Sequence, residues 1–173
     1  MRKEGVILIG MAGTGKSTIG SGLARALAFD FTDLDEYICS TEGQTIQCII
    51  NDKGEDALLL LEKQRMHELN MKHRVIAPGG SIVYLPDLMR YLKEHSFLVH
   101  LDDTFENIQG RLENASNRGI IGFKSKSLRE IYDERHPLYY KYADINIDQA
   151  GKSKEKIIKE IIEQLPGLFL VNI

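Results

Sequence analysis

An α/β fold, a five-stranded parallel sheet with helices on both faces, is predicted by three observations. Short apolar runs alternate with helical patterns along the 173 residues, and such alternation builds parallel strands joined by crossover helices. The first apolar run, Val6-Ile7-Leu8-Ile9, passes through a glycine-rich turn straight into a helix. No repeat, linker or low-complexity segment interrupts the pattern, so residues 1–173 read as a single domain.

The first helix carries Ile19, Leu23, Ala26 and Leu27 on one face. A second strand spans 29–34 and ends in Asp33-Leu34-Asp35, whose carboxylates would face the crevice at the strand's carboxyl end. A helix follows to about Thr41, broken by Gly43. Thr45 caps another, with Ile46, Ile49 and Ile50, stopped by Gly54. From Glu55 to about His73 the pattern is one long helix. Its consecutive Leu58, Leu59, Leu60 and Leu61 cover most of the circumference, so that turn is enclosed or one leucine faces a cleft. Glu55, Leu59 and Glu62 share a face.

A third strand, 74–78, runs into Gly79-Gly80-Ser81. Pro86 starts a helix, and 97–101 is the fourth strand. Asp103 with Glu106 reads as a capping box for a helix bearing Phe105, Ile108 and Leu112. Residues 114–126 are polar and aperiodic and read as a mobile lid. Ser127 and Glu130 cap the next helix, which Pro137 kinks or ends. The fifth strand is 144–148, and the last helix turns Ile157, Ile158, Ile161, Ile162 and Leu165 inward before Pro166-Gly167. The apolar tail 168–173 either packs on the body or meets another subunit.

A net charge of −3 excludes a general nucleic-acid or membrane binder. Basic residues instead cluster between Arg111 and Lys141, which suits a small polyanion. Cys39 and Cys48 lack C-x-x-C spacing, and the five histidines lack metal-ligand spacing. The basic start Met1-Arg2-Lys3 precedes an apolar run too short for a signal peptide, and no run approaches the ~20 apolar residues of a membrane span. A cytoplasmic monomer is expected.

The chemistry centres on Gly10-Met11-Ala12-Gly13-Thr14-Gly15-Lys16-Ser17-Thr18. It fits G-x-x-x-x-G-K-[ST] in the strand–turn–helix setting that a phosphate-binding loop requires. Glycines let successive N–H groups point at an anion, and the helix adds its positive end. Lys16 would reach the β/γ-phosphates and Ser17 would ligate Mg²⁺. The third strand ends in Gly-Gly rather than an acidic residue, which favours a small-molecule kinase over a motor ATPase or GTPase. Such an enzyme needs a site for a hydroxyl acceptor. Asp33 and Asp35 supply one carboxylate for the metal's shell and one to take the acceptor's proton. Gly79 and Gly80 let backbone N–H groups approach a ligand. Arg111, Arg118 and Arg135 bracket the lid, where they would offset phosphoryl charge.

Together these residues resemble the shikimate kinase family along nearly the whole chain. The resemblance rests on the loop 10–18, Asp33-Leu34-Asp35, Gly54-Glu55 with Glu62, Gly79-Gly80, Arg111, Arg118, and Arg135-His136-Pro137-Leu138-Tyr139, which is similar to the family's R-x-P-L-Y. It implies a nucleoside-monophosphate-kinase-like fold with strand order 2-3-1-4-5, and ATP with Mg²⁺. It implies Gly13, Thr14, Gly15, Lys16, Ser17 and Thr18 on the nucleotide, with Arg111 near the adenine. It further implies Asp33 near the metal, Asp35, Gly80 and Arg135 at the acceptor, and Arg118 from the lid on the phosphates. The chain departs from the family at three places. The F-R pair of G-E-x-x-F-R-x-x-E is Leu58-Leu59, the third glycine of G-G-G is Ser81, and R-P-L in the lid is Arg118-Gly119-Ile120. In the family that arginine pairs with the acceptor's carboxylate. Its loss is expected to weaken a carboxylate acceptor by roughly 2 kcal/mol or more. Either another cation such as Lys53 stands in for it, or the acceptor differs.

Overall fold

The computed structural model describes residues 3–113, 121–122 and 125–167. The strands are β1 (Gly5–Ile9), β2 (Asp30–Asp33), β3 (Arg74–Ala77), β4 (Ser96–Asp102) and β5 (Ile145–Asp148). They form one sheet in the order β2-β3-β1-β4-β5, with every pairing parallel. The described helices are α1 (Lys16–Leu27), α2 (Leu34–Glu42), α3 (Ile46–Lys53), α4 (Glu55–Glu68), α5 (Pro86–His95), α6 (Phe105–Glu113), α7 (Leu128–Tyr142) and α8 (Lys154–Gln164). A 3₁₀ turn, Gly80–Tyr84, follows β3.

The central strand explains the layering. All of β1 is buried. Its side chains alternate between two cores, as the pleat dictates. Val6 and Leu8 join α1 and α8 through Leu23, Leu27, Ile157 and Ile161. Ile7 and Ile9 join a larger core built from α2 to α5 and α7. The strand ends therefore feed a crevice walled mainly by the second set of helices, where ligands of open α/β sheets bind.

Several boundaries differ from those the sequence suggests. β2 stops at Asp33 because that side chain caps α2, accepting from the N–H groups of Asp35 at 3.0 Å and Glu36 at 3.3 Å. Asp35 thus stands in the first turn of a helix. The helix α4 ends at Glu68, not near His73: Asn70 Oδ1 accepts from the Lys72 N–H and His73 has φ 51°, a turn that the helical period hides. Of the two alternatives for the leucine run the second holds, since Leu58 lines a cleft while Leu60 is 67% exposed. The cap of α6 is Thr104, which accepts from the Asn107 N–H at 3.3 Å, one residue after Asp103. Pro137 does not end α7, which continues to Tyr142. Pro137 and Asp133, whose carbonyl loses its partner, are both exposed, so water satisfies that carbonyl. The capping box of Ser127 and Glu130 is present. Most of the expected lid, including Arg118, and the apolar tail 168–173 lie outside the described residues. No helix among the described residues is long and apolar enough to cross a membrane.

Candidate active site

The phosphate loop leaves β1 at Gly10 and enters α1 through Gly15, with Gly13 and Gly15 at φ 85° and 83°. Those angles are open to glycine at little cost. No side chain caps α1, so its first N–H groups stay available to an anion. Lys16 is buried, and its ammonium arches back to the carbonyls of Gly10 at 2.8 Å and Met11 at 2.9 Å. Thr14 Oγ1 also donates to Met11 O, closing the turn. A buried lysine beside the uncapped start of α1 fits a triphosphate.

Ser17 Oγ donates a hydrogen bond to the Asp33 carboxylate, which brings two hard oxygens together at the loop's edge. The described residues hold no group of three or more His, Cys, Asp or Glu side chains suited to a metal. This donor set fits Mg²⁺, which keeps several waters and borrows phosphate oxygens rather than needing a protein cage. Arg111 lies beside the loop, donating to Gly13 O at 3.1 Å and pairing with Asp103 at 2.7 Å.

From the loop a cleft of about 680 Å³ runs between α2, α3, α4 and the 3₁₀ turn. Its polar walls include Lys16, Asp33, Asp35, Glu62, Ser81 and Arg135, and Leu58 and Ile46 form an apolar side. Gly79 and Gly80 are glycines because neighbours leave no room. A Cβ at Gly79 would stand 2.4 Å from Glu62 Oε1, and one at Gly80 would stand 3.0 Å from the Tyr139 hydroxyl and 3.2 Å from an Arg135 nitrogen. Tyr139 donates to Gly80 O at 2.7 Å and so fixes the turn.

Arg135 is 1% exposed. It donates to Ile121 O at 2.7 Å and to the Tyr84 hydroxyl at 3.2 Å, and lies 4.9 Å over the Tyr84 ring. These contacts orient the guanidinium but do not neutralise it. A buried cation lining an open cleft favours an anionic ligand. Two pairs hold α7 in place behind it, His136 with Asp102 at 3.0 Å and Tyr140 with Asp102 at 2.5 Å.

The residues at the missing arginine are arranged differently from the sequence expectation. Leu58 and Glu62 line the cleft, while Leu59 packs part-buried against the large core. Lys53 does not fill the gap: its ammonium is half exposed and 3.8 Å from Glu42. Glu55 turns to the far end of the expected lid and accepts from the Gly122 N–H at 2.9 Å. Glu62 instead is 2% exposed, and Ser81 Oγ lies 2.9 and 3.0 Å from its two carboxyl oxygens. Burial first, and the nearby Asp35 carboxylate second, push Glu62 from its ordinary value of 4.5 up to about 8. Ser81, Arg135 and Lys16 oppose the shift but do not reverse it. Sequence reasoning missed this pair because 19 residues separate its members. The available signal was that Leu59 and Ser81 depart from the family pattern together.

The shift has a stability consequence. Above pH 4.5 the unfolded chain releases this proton, whereas the folded chain keeps it to about pH 8. The unfolded state then binds fewer protons, so stability falls as pH rises through that window. At pH 7 the cost is about 3 kcal/mol, taking ~1.36 kcal/mol per pH unit. Glu62→Gln removes it. Urea unfolding of both proteins from pH 5 to 8 is expected to show a gap that opens in favour of the variant, and a pH-independent gap would contradict the assignment.

Comparison with known proteins agrees with this geometry. The shikimate kinase family model matches residues 12–166. The shikimate kinase of Persephonella marina is 34% identical over 161 residues, covering 92% of this chain and 98% of its own. Among solved structures, shikimate kinase from Acinetobacter baumannii in complex with shikimate superposes with a TM-score of 0.82 at 28% identity, covering 98% of this chain and 94% of its own. Shikimate kinase from Aquifex aeolicus gives 0.79 at 31%, covering 96% and 98%. With a phosphate loop, an acceptor cleft and a match along nearly its full length, the chain belongs to the shikimate kinase family.

Proposed function

We propose that this chain transfers the γ-phosphoryl group of ATP to a hydroxyl of shikimate, giving shikimate 3-phosphate and ADP. The observation that carries the reading is one cleft lined by Lys16 and Ser17 together with Asp35, Gly80 and the buried Arg135. Gly13, Thr14, Gly15, Lys16, Ser17 and Thr18 hold the triphosphate, and Arg111 lies against the nucleotide. Ser17 and Asp33 would hold Mg²⁺, which would supply positive charge to offset that of the phosphates. Asp35 takes the acceptor's hydroxyl proton, Arg135 clamps its carboxylate, and the Gly79–Gly80 backbone meets its ring. Arg118, which the resemblance assigns to the phosphates, lies outside the described residues. A monomer is the working form of this reading. An ATP consumer works where ATP is held, which puts the enzyme in the cytoplasm.

Leu59 favours a second reading, a related acceptor without a carboxylate. ADP release measured with shikimate and with carboxylate-free polyols such as inositol and glucose separates the two, and Leu59→Arg sharpens the separation. On the second reading shikimate binds poorly, and Leu59→Arg lowers its KM about tenfold, near 1.4 kcal/mol. We expect shikimate to be the preferred acceptor and Leu59→Arg to bring no gain. Tight use of another acceptor, with a tenfold gain for shikimate in the variant, would overturn the shikimate assignment while leaving the kinase assignment intact.

A further inference from the structure

The acceptor clamp lacks the arginine that the family places on α4, and Lys53, the nearest replacement the sequence offers, is turned to Glu42. The cleft wall at this point holds one ionisable side chain of α4, Glu62, fastened by the hydroxyl of Ser81. We infer that the Glu62–Ser81 pair replaces the missing arginine, with the Glu62 carboxyl, fixed by Ser81, donating a hydrogen bond to the acceptor's carboxylate while Arg135 supplies the charge. This inference rests on the shikimate reading above.

The geometry supports the donor role in three ways. Ser81 Oγ reaches both carboxyl oxygens but carries one proton, so it satisfies one oxygen at a time, and Glu62 is among the side chains that line the cleft. Gly79 admits Glu62 to this place, because any Cβ there would collide with Oε1. Three elements turn charge toward Glu62, namely Asp35 from α2, Lys16 from α1 and Arg135 from α7, with the neutral Tyr139 also from α7. One of two neighbouring carboxyls then carries the negative charge and the other the proton. Asp35, at the head of α2 beside the loop, is the one placed to act as base. Glu62, deep under the 3₁₀ turn and held up near pH 8 by burial, keeps the proton. A protonated carboxyl can donate to a carboxylate, whereas an ionised one would repel it.

The pair therefore sets a pH limit on acceptor binding that an arginine would not impose. Shikimate KM at saturating ATP and Mg²⁺ is expected to rise about tenfold between pH 7 and pH 9, following loss of one proton near pH 8. The value of kcat should not follow the same curve. In Glu62→Gln the amide donates at every pH, so the alkaline rise in KM should vanish. Ser81 holds the Glu62 value down, so Ser81→Ala should move the rise to higher pH. That direction is not one a merely structural defect would give. Circular dichroism confirms that each variant is folded before kinetics are read. An alkaline rise that survives Glu62→Gln, or a midpoint unmoved by Ser81→Ala, overturns the inference. No turnover of shikimate by the wild-type enzyme at any pH would instead overturn the substrate assignment on which it rests.

Discussion

Lys16→Ala is expected to lower kcat about a hundredfold to a thousandfold, the scale on which a single buried donor to a developing charge acts. The ammonium is held by two loop carbonyls, Gly10 O and Met11 O, at the mouth of the uncapped helix α1. It belongs to the loop, not to either hydrophobic core. Removing it should therefore leave the fold in place, and thermal melting of the variant checks that. Lys16→Met keeps the volume of the stem and should fail equally. Turnover in either variant within a few-fold of wild type would show that Lys16 does not contact the transferring phosphoryl group.

Asp35→Asn is expected to lower kcat by about a hundredfold to ten-thousandfold, the range of a positioned general base, with shikimate KM changed far less. Asp35 owes its position to its neighbour. Asp33 caps α2 and leaves Asp35 in the first turn, lining the cleft close to Gly79 and Glu62. A second readout is available, because Asp35 raises the Glu62 value through its charge. The variant should also bring the alkaline rise in KM to lower pH. A normal kcat in Asp35→Asn would remove it from the proton path.

Much of this was legible in the residues. The loop 10–18 announces itself through glycine, lysine and serine at fixed offsets, and the structure builds the expected strand–turn–helix. Strand number and parallel pairing followed from alternation of apolar runs, but strand order did not, because each run reads alike wherever it lies in the sheet. The order came from the resemblance, and the pairing of β1 with both β3 and β4 bears it out. Local chemistry misled at a few points. A helical period carried α4 past Glu68, since Asn70 and His73 form a turn without glycine or proline to mark it. Pro137 left a kink and an end both open, and the helix continues through it to Tyr142 with Pro137 exposed.

The acceptor site was legible as a set of residues but not as a set of contacts. Asp35, Gly79, Gly80 and Arg135 were named from the chain and meet in the cleft. The partner of Glu62 was not, because Ser81 reaches it only across the packing of α4 on the 3₁₀ turn. Face arithmetic grouped Leu59 with Glu62 and the resemblance turned that face toward the acceptor, but the leucine that lines the cleft is Leu58. At 100° per residue, neighbouring positions on a helix point far apart, so an error of one residue changes which side chain meets the ligand.

The central claim is that one cleft passes a phosphoryl group from ATP to shikimate. A single-turnover experiment tests it most directly, with enzyme in excess over γ-³²P-ATP and with Mg²⁺ and shikimate present near pH 7. The account predicts that the label appears on shikimate as a phosphate ester, with little in inorganic phosphate. Label remaining in ATP, or passing to water at the same rate with and without shikimate, would contradict it.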